Sequence, residues 1–266
     1  MRIKVLALRA LVCGALLVSS ATVFAAEAET GAEGATPIDW HTWRAEVDVA
    51  NHGSLQRGAR NFVSYCLPCH SLKYERYSRL GEDLEIPPDL LDKYIVQPGD
   101  KSTDYILTTL PQKDAEAWFG KAPPDLSLMA RARGSDYIYR LFKTYYIDPT
   151  RPTGANNLQL PGVAMPHVLS ELEGLKKPVY KSVSKAGEDG KTTTEQVFDH
   201  FEQIAPGRMN AEEYDSFVRD TVAFLAYVGE PAQIQRHSLG IWVVLFLLVF
   251  TWLAWLLKTE YWKDVH

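Results

Sequence analysis

Cysteine is scarce in this chain: there are three in 266 residues, and one of them, Cys13, lies in the N-terminal segment. The other two, Cys66 and Cys69, form one closely spaced pair. Because there is no second cysteine pair, a zinc site would lack two ligands of the right type and spacing. No strand–helix–strand pattern surrounds the pair, which counts against a thioredoxin-like dithiol. The sequence also lacks internal repeats and, beyond residues 27–37, low-complexity tracts.

The cysteine pair belongs to the sequence Cys66-Leu67-Pro68-Cys69-His70, a C-x-x-C-H motif. Two thiols at this spacing add to the two vinyl groups of one porphyrin, and the next residue offers an imidazole to the iron. The motif therefore predicts one covalently attached haem c, with His70 as an axial ligand, and a protein that moves electrons. A redox dithiol and a zinc site are the disfavoured alternatives.

Basic residues are fewer than acidic ones, and three of them, Arg2, Lys4 and Arg9, lie in the N-terminal segment. Residues 1–4 include Arg2 and Lys4, an apolar run follows over residues 5–18, and small residues end the segment near residue 26. This pattern is typical of a secretory signal peptide, and the run is too short for the alternative, an uncleaved anchor. Export indicates the bacterial periplasm or an organelle compartment of equivalent topology. Loss of the segment moves the formal charge from −5 to about −8, which argues against nucleic acid and suits a basic protein partner.

Charge is absent from a second apolar segment, residues 239–257. A helix of this length spans roughly 28 Å, close to the ~30 Å hydrocarbon core of a bilayer. Aromatic residues lie near both ends, as in membrane-interface belts, and no face is polar, which disfavours a buried core helix. We expect a single span with the haem domain on the periplasmic side and the C-terminus in the cytoplasm. The predicted division is signal peptide, flexible leader, haem domain, anchor and cytoplasmic tail, at residues 1–26, 27–37, 38–236, 237–258 and 259–266.

Helical spacing of apolar residues predicts four helices in the exported domain. Ser54 is the expected N-cap of the first, and Asn210 with Glu213 forms the expected capping box of the last. Two β-prone runs around a Gly-Glu-Asp-Gly sequence predict an exposed hairpin over residues 179–198. Proline-rich connections join the helices, and long irregular connections of this kind are usually functional or anchored on something. The four helices are expected at residues 54–65, 103–110, 136–146 and 210–227.

The second axial ligand of the iron decides the chemistry, because methionine opposite histidine raises the reduction potential and closes the iron to other ligands. Met165 is favoured, since it lies in a loop bracketed by Pro161 and Pro166 that can hold one sulfur in place. Met209, which precedes the last helix, and Met129 are the less favoured candidates, with apolar packing as their ordinary role. His167 is a minor alternative should no methionine bind.

Buried haem propionates need cationic or hydroxyl partners. Arg131, Arg133 and Tyr137 follow a Pro-Pro turn and are candidates for this role. A solvated arginine pair on a helix end is an equally good interpretation of the same residues.

Taken together, the motifs resemble the cytochrome c1 family, the haem subunits of cytochrome bc1 complexes, and specifically its bacterial form. The similarity runs through most of the chain after the signal peptide. It is carried by the segment 56–72 around the haem motif, by Pro123-Pro-Asp-Leu-Ser127 with the following Arg-Ala-Arg, by Met165-Pro166, and by Gly229-Glu-Pro231 before the terminal apolar helix.

The resemblance implies an all-α, class I cytochrome c-like core with long loop insertions and one C-terminal transmembrane helix. It implies cytochrome b and a Rieske iron–sulfur protein as partners, and electron transfer from the Rieske cluster through this haem to a cytochrome c. Such a chain is part of ubiquinol–cytochrome c reductase without substrate chemistry of its own. The resemblance also favours Arg133 and Tyr137 as propionate partners and places Pro124 near His70. One departure is that Met165 is followed by Pro166 and His167, where the family commonly has a small residue and two prolines.

Two other functions compete with this one. The first is a haem subunit of another membrane electron-transfer complex. The second is a tethered haem enzyme or sensor with an open iron, for example a peroxidase-like protein. Enzymatic haem chemistry requires a displaceable ligand and distal acid–base groups, and no distal histidine–arginine motif is evident in the sequence.

Overall fold

The computed structural model describes residues 38–186 and 192–263. Helices predominate among them, and the strands form three separate two-stranded antiparallel pairs, β1–β2, β3–β4 and β5–β6. A short 3-10 helix, Trp40–Thr42, precedes the first α-helix. In chain order the elements are α1 (His52–Tyr65), β1 (Leu72–Arg76), α2 (Tyr77–Asp83), α3 (Pro88–Tyr94), β2 (Tyr105–Ile106), α4 (Gln112–Phe119), α5 (Met129–Arg133), α6 (Ser135–Lys143), β3 (Tyr145–Ile147), β4 (Ala155–Asn157), α7 (Ser170–Glu173), β5 (Gly174–Ala186), β6 (Thr192–Pro206), α8 (Ala211–Gly229) and α9 (Gln233–Tyr261).

The helices α1 and α8 cross at close range and bury the main hydrophobic core between them. Gly58 of α1 makes this approach possible, since a Cβ at that position would lie 2.1 Å from the backbone oxygen of Asp220 in α8. The Asp220 carboxylate accepts hydrogen bonds from Ser54 Oγ at 2.6 Å and from Arg57 Nε at 2.6 Å. We call this contact between α1 and α8 the helix crossing.

The N-terminus of α1 differs from the sequence-based prediction. The helix begins at His52, and its N-cap is Asn51, whose side chain accepts a hydrogen bond from the backbone N–H of Ser54 at 3.0 Å. The prediction that Ser54 caps this helix is therefore wrong. Ser54 lies inside the first turn, where its hydroxyl donates a hydrogen bond to the Asp220 carboxylate instead.

The prediction for α8 is confirmed. Asn210 is its N-cap, and the reciprocal bonds of a capping box join it to Glu213, at 2.9 Å from Glu213 N to Asn210 Oδ1 and 2.9 Å from Asn210 N to Glu213 Oε2. The helix ends at Gly229, shortly before Pro231. One whole face of it is buried, as the apolar spacing requires.

The predicted helix over residues 103–110 is wrong. Residues 105 and 106 form β2, which pairs with β1 so that Ile106, almost fully buried, lies opposite Leu72. Thr108 then holds the chain extended, because its N–H donates to Ser71 Oγ at 2.9 Å and its hydroxyl donates to the Pro68 carbonyl at 2.8 Å. The helix of this region is α4, which begins after Pro111.

The predicted helix over residues 136–146 ends early, at Lys143. Thr144 Oγ1 donates to the Arg140 carbonyl at 2.7 Å, and the chain then leaves the helix as β3. The packing of Tyr145, fully buried in a smaller cluster with Ala155 and Val163, outweighs the helical periodicity of the segment.

The predicted hairpin over residues 179–198 is present and longer than expected, running from Gly174 to Pro206 over β5 and β6. Residues 187–191, where the turn was predicted, lie outside the described residues. The hairpin is exposed only in part, because Phe198 and Asp199 are buried.

Within the described residues, one helix is long and apolar enough to cross a membrane. It covers Gln235–Tyr261, with a mean hydropathy of 2.4, and its side chains are exposed along the whole span. The predominance of helices, the β-hairpin and the single apolar C-terminal helix agree with the predicted all-α class with one C-terminal anchor. The predicted signal peptide and leader, residues 1–37, and the last three residues lie outside the described part of the chain.

Candidate haem site

The C-x-x-C-H motif forms a tight turn directly after α1. The N–H groups of Cys69 and His70 both donate to the carbonyl of Cys66, at 3.0 and 2.8 Å. Cys66 is buried in the main core and Cys69 is half-buried, and both are free thiols in this structure. The end of α1 thus brings two thiols and one imidazole together within five residues.

The contacts of the His70 imidazole leave one of its two ring nitrogens, Nε2, free to bind a metal. Its ring is 9% exposed, and Nδ1 lies 2.7 Å from the carbonyl oxygen of Pro124. A carbonyl only accepts hydrogen bonds, so Nδ1 carries the proton and Nε2 keeps its lone pair. Burial lowers the pKa of His70, which favours this neutral form. A hydrogen bond of this kind orients a metal-binding imidazole and makes it a stronger ligand.

The Pro124 carbonyl is itself held in place by the chain that follows His70. The Asp125 carboxylate accepts from Lys73 N at 2.9 Å and from Ser127 N at 3.0 Å, while Ser127 Oγ accepts from Tyr74 N at 3.2 Å. Sequence reasoning missed these roles of Asp125 and Ser127. The Asp-Leu-Ser sequence is a local turn signal that identifies them once its partner segment is known.

Met165 lies in a loop that contacts both hydrophobic clusters. We call residues 158–169 the methionine loop. The hydroxyl of Tyr145 donates to the Met165 carbonyl at 3.3 Å, and Asn156 Oδ1 accepts from Gly162 N at 2.8 Å, where a positive φ of 76° requires glycine. Met165 itself is half-buried, between the main core and the smaller cluster.

The other two candidate ligands, Met129 and Met209, lie at or just before the start of a helix. Met129 opens α5, and Met209 precedes the cap of α8, where its N–H donates to the Leu172 carbonyl at 3.1 Å. Both pack partly buried against the main core, which is the apolar role expected of them. Met209 also lines a surface groove together with Arg57 and Arg60.

His167 has its Nε2 engaged by Glu173 Oε2 at 3.0 Å. Its Nδ1 is buried and makes no hydrogen bond within the described residues. The sequence does not predict this contact, because Glu173 is six residues away and no periodic pattern places the two side chains together.

Arg133 and Tyr137 meet across Gly134, which joins α5 to α6 with a φ of 87°. The guanidinium carbon of Arg133 lies 5.7 Å from the centre of the Tyr137 ring. Arg131 and Arg133 are exposed, Tyr137 is half-buried, and neither guanidinium makes a hydrogen bond or salt bridge within the residues that the structure describes. The Arg131 charge also acts on the nearby Glu230 carboxylate, so Arg133 is the one of the two whose charge stays available for an anionic group.

The donor set fits a haem better than the alternatives. No group of three His, Cys, Asp or Glu side chains with metal-binding geometry occurs in the described ranges, as a zinc site of protein ligands would need. Burial, and next the neighbouring Cys69, raises the pKa of the Cys66 thiol to about 12, whereas a redox-active dithiol requires a lowered one. An apolar thiol pair beside an imidazole with a free Nε2 suits a porphyrin.

These features define a class: a helical, class I cytochrome c-like protein with one apolar C-terminal helix. The model of the Cytochrome C1 family matches residues 42–189 and 192–265, and the chain belongs to this family. The family indicates a haem subunit of a bc1-type complex, with haem c as cofactor.

Three relatives show how far the similarity extends. The cytochrome c1 of Allochromatium vinosum is 43% identical over 226 residues, 85% of this chain and 90% of the relative. The ammonia monooxygenase gamma subunit of Nitrosomonas europaea is 41% identical over 223 residues, 84% of this chain and 88% of the relative. The cytochrome c1 of Rhodospirillum rubrum is 30% identical over 270 residues, 91% and 92% of the two chains.

Proposed function

We propose that this chain is the membrane-anchored monohaem subunit of a ubiquinol–cytochrome c reductase. It accepts electrons from a Rieske iron–sulfur protein and passes them to a cytochrome c. Its haem domain lies on the periplasmic side after removal of residues 1–26, and its C-terminus is cytoplasmic. The observation that carries the proposal is the hydrogen bond from His70 Nδ1 to the Pro124 carbonyl, which leaves Nε2 free beside two thiols in a chain of this family.

In this proposal Cys66 and Cys69 bind one haem c covalently, and His70 and Met165 are the axial ligands. When bound, the haem supplies reversible one-electron chemistry. The residues of the chain hold and orient it: Pro124 fixes the His70 imidazole, and the methionine loop excludes other ligands from the iron. Arg133 and Tyr137 are the proposed partners of the propionates, since a buried carboxylate requires a cation or donor. No proton transfer by the chain is needed.

The axial assignment is tested by Met165→Leu. We expect the haem potential to fall by about 100 mV or more, or the reduced protein to bind carbon monoxide, because the thioether ligand is lost. Redox titration and a carbon monoxide difference spectrum measure both effects. Met209→Leu and Met129→Leu are the matched controls and are expected to leave both measurements unchanged. An unchanged potential without carbon monoxide binding in Met165→Leu contradicts the assignment.

The partners are tested by purifying the full-length protein from its membrane in mild detergent and identifying the subunits that accompany it. Recovery of a cytochrome b and a Rieske protein supports the proposal. Recovery of haem–copper oxidase subunits, or of monooxygenase subunits such as the name of the Nitrosomonas relative points to, favours the alternative of another membrane complex. An open iron in the unmodified reduced protein favours the tethered enzyme or sensor.

A further inference from the structure

His167 is a polar residue of the methionine loop whose side chain is almost entirely shielded from solvent. It lies two positions after Met165, and only 9% of its side chain is exposed. Its ring stacks on that of Tyr145, with parallel planes and centroids 4.7 Å apart. Its Nε2 is 3.0 Å from Glu173 Oε2, and the Glu173 side chain is equally buried.

Tyr145 connects this histidine to the residue proposed as axial ligand. The tyrosine is fully buried, and its hydroxyl donates to the Met165 carbonyl at 3.3 Å. One ring therefore contacts the loop at two points, through its face at His167 and through its hydroxyl at Met165. Between these points Pro166 fixes only a single φ angle, so the direction of the segment depends on the side-chain contacts.

Glu173 is anchored in turn to the end of α6. It forms a buried ion pair with Lys176, and Lys176 Nζ also donates to the Lys143 carbonyl at 2.8 Å. The Lys176 side chain is 8% exposed. A buried pair with its hydrogen bonds satisfied is strongly directional, because moving one member leaves an unpaired charge in the interior.

We propose that Tyr145, His167 and Glu173 form a clamp that holds Met165 in position as an axial ligand, with His167 as the positioning residue. The inference rests on the proposed role of Met165. The clamp would determine how much of the time the methionine loop holds Met165 in its present position. Without the buried hydrogen bond from His167 to Glu173, the loop would be free to move away from a bound haem iron.

The test compares His167→Phe with His167→Gln in the full-length haem-loaded protein. Phenylalanine keeps an aromatic ring on Tyr145 and removes the donor to Glu173, whereas glutamine restores a donor. We expect the association rate of carbon monoxide with the reduced His167→Phe protein to rise about tenfold, the effect of losing one buried charge-assisted hydrogen bond. The red absorption band of methionine-ligated ferric haem weakens in parallel. His167→Gln recovers at least half of the change on a logarithmic scale.

Two further variants complete the test. Glu173→Gln removes the charge of the acceptor and is expected to move the carbon monoxide rate in the same direction as His167→Phe. His200→Phe is the matched control, because His200 also pairs with a carboxylate, Asp199 at 2.7 Å, but on β6. It is expected to leave the rate and the spectrum unchanged.

The outcomes separate the clamp from the axial assignment. If Met165→Leu opens the iron while His167→Phe and Glu173→Gln keep the wild-type rate and spectrum, the clamp is wrong and the axial assignment stands. A lowered melting temperature without spectral change in the His167 variants likewise overturns the clamp, since it indicates a structural role alone. If Met165→Leu leaves the iron closed and His167→Phe opens it, His167 is itself the ligand, and both the clamp and the Met165 assignment fail.

Discussion

The helix crossing and the methionine loop are held in place by different physical means. At the helix crossing, two long helices bury a continuous apolar surface, and Asp220 adds a polar contact that α1 satisfies completely. The methionine loop also buries apolar side chains, among them Val163 and Leu169, but these are divided between two clusters. Its shape depends on a few buried polar side chains, among them Asn157, Tyr145 and His167.

This difference determines how each region fails. Apolar burial is spread over many contacts, so the helix crossing tolerates small losses and is sensitive mainly to steric overlap at its closest point. A buried hydrogen-bond network is sensitive at every member, since removing one partner leaves others unsatisfied. The helix crossing, from which α1 leads into the turn of His70, is therefore the robust region, and the loop that carries Met165 is the adjustable one.

The largest effect is expected from Gly58→Val, which tests the steric limit of the helix crossing. The new Cβ would lie 2.1 Å from a backbone oxygen of Asp220, and backbone cannot move aside without separating the helices. We expect the free energy of unfolding to fall by more than about 4 kcal/mol, beyond the usual range for overpacking. Denaturant unfolding of the haem-loaded protein, followed by circular dichroism, measures it.

Gly53→Ala is the matched control on the same helix. A Cβ at Gly53 meets its nearest atoms at 3.5 Å, an ordinary contact, so the substitution is expected to stabilise α1 by about 0.5–1 kcal/mol. If Gly58→Val changed the free energy of unfolding no more than Gly53→Ala does, the close approach of the two helices would not contribute to stability.

The same contrast explains what the sequence could predict. The capping box of Asn210 and Glu213 and the apolar face of α8 are local patterns, and the structure has them as expected. The C-x-x-C-H motif is also local and predicts its own ligand. The partners of Met165 are not local: Tyr145 is twenty positions earlier, and its burial depends on β4. The failed helix at residues 103–110 has the same cause, since its pairing with Leu72 and its ties to Pro68 and Ser71 come from a distant segment.

An intermediate effect is expected from Asn157→Ala, which tests the network beside the methionine loop. Asn157 is fully buried; its Nδ2 donates to the Leu141 carbonyl at 2.7 Å, and its Oδ1 accepts from Leu160 N and Thr144 Oγ1, each at 3.0 Å. Truncation removes the side-chain partner of the Leu141 carbonyl and of Leu160 N, whereas Thr144 Oγ1 keeps its hydrogen bond to the Arg140 carbonyl. We expect a loss of about 3 kcal/mol in the free energy of unfolding, measured as above.

Asn156→Ala provides the comparison for Asn157. The Asn156 side chain also bonds the loop, through Gly162 N at 2.8 Å, but it is only half-buried, so water replaces part of what is lost. Its expected cost is about 1 kcal/mol. Equal losses at the two positions would mean that burial does not govern the strength of the network.

The smallest effect concerns Glu75 of β1, which lies near Tyr227 at the C-terminal end of α8. Unlike Asp220, this carboxyl group is buried with Oε1 lacking a hydrogen bond within the described residues. Burial raises its pKa from 4.5 to about 7, with Arg79 opposing the shift and Asp83 adding to it. Between these values the folded protein keeps a proton that the unfolded chain releases, so stability falls as the pH rises from about 4.5 to about 7.

Glu75→Gln removes this dependence, because an amide stays neutral. At pH 8 the variant is expected to be more stable than the unmodified protein by about 2 kcal/mol, and near pH 4 the two are expected to be equal. Unfolding free energies measured across this range test the sign directly. Glu82→Gln, at an exposed position of α2, is the control and should reproduce the unmodified pH profile. A Glu75→Gln protein less stable at pH 8 would mean that the ionised carboxylate has a stabilising partner, and that the buried Glu75 carboxylate is as fully satisfied as that of Asp220 in the helix crossing.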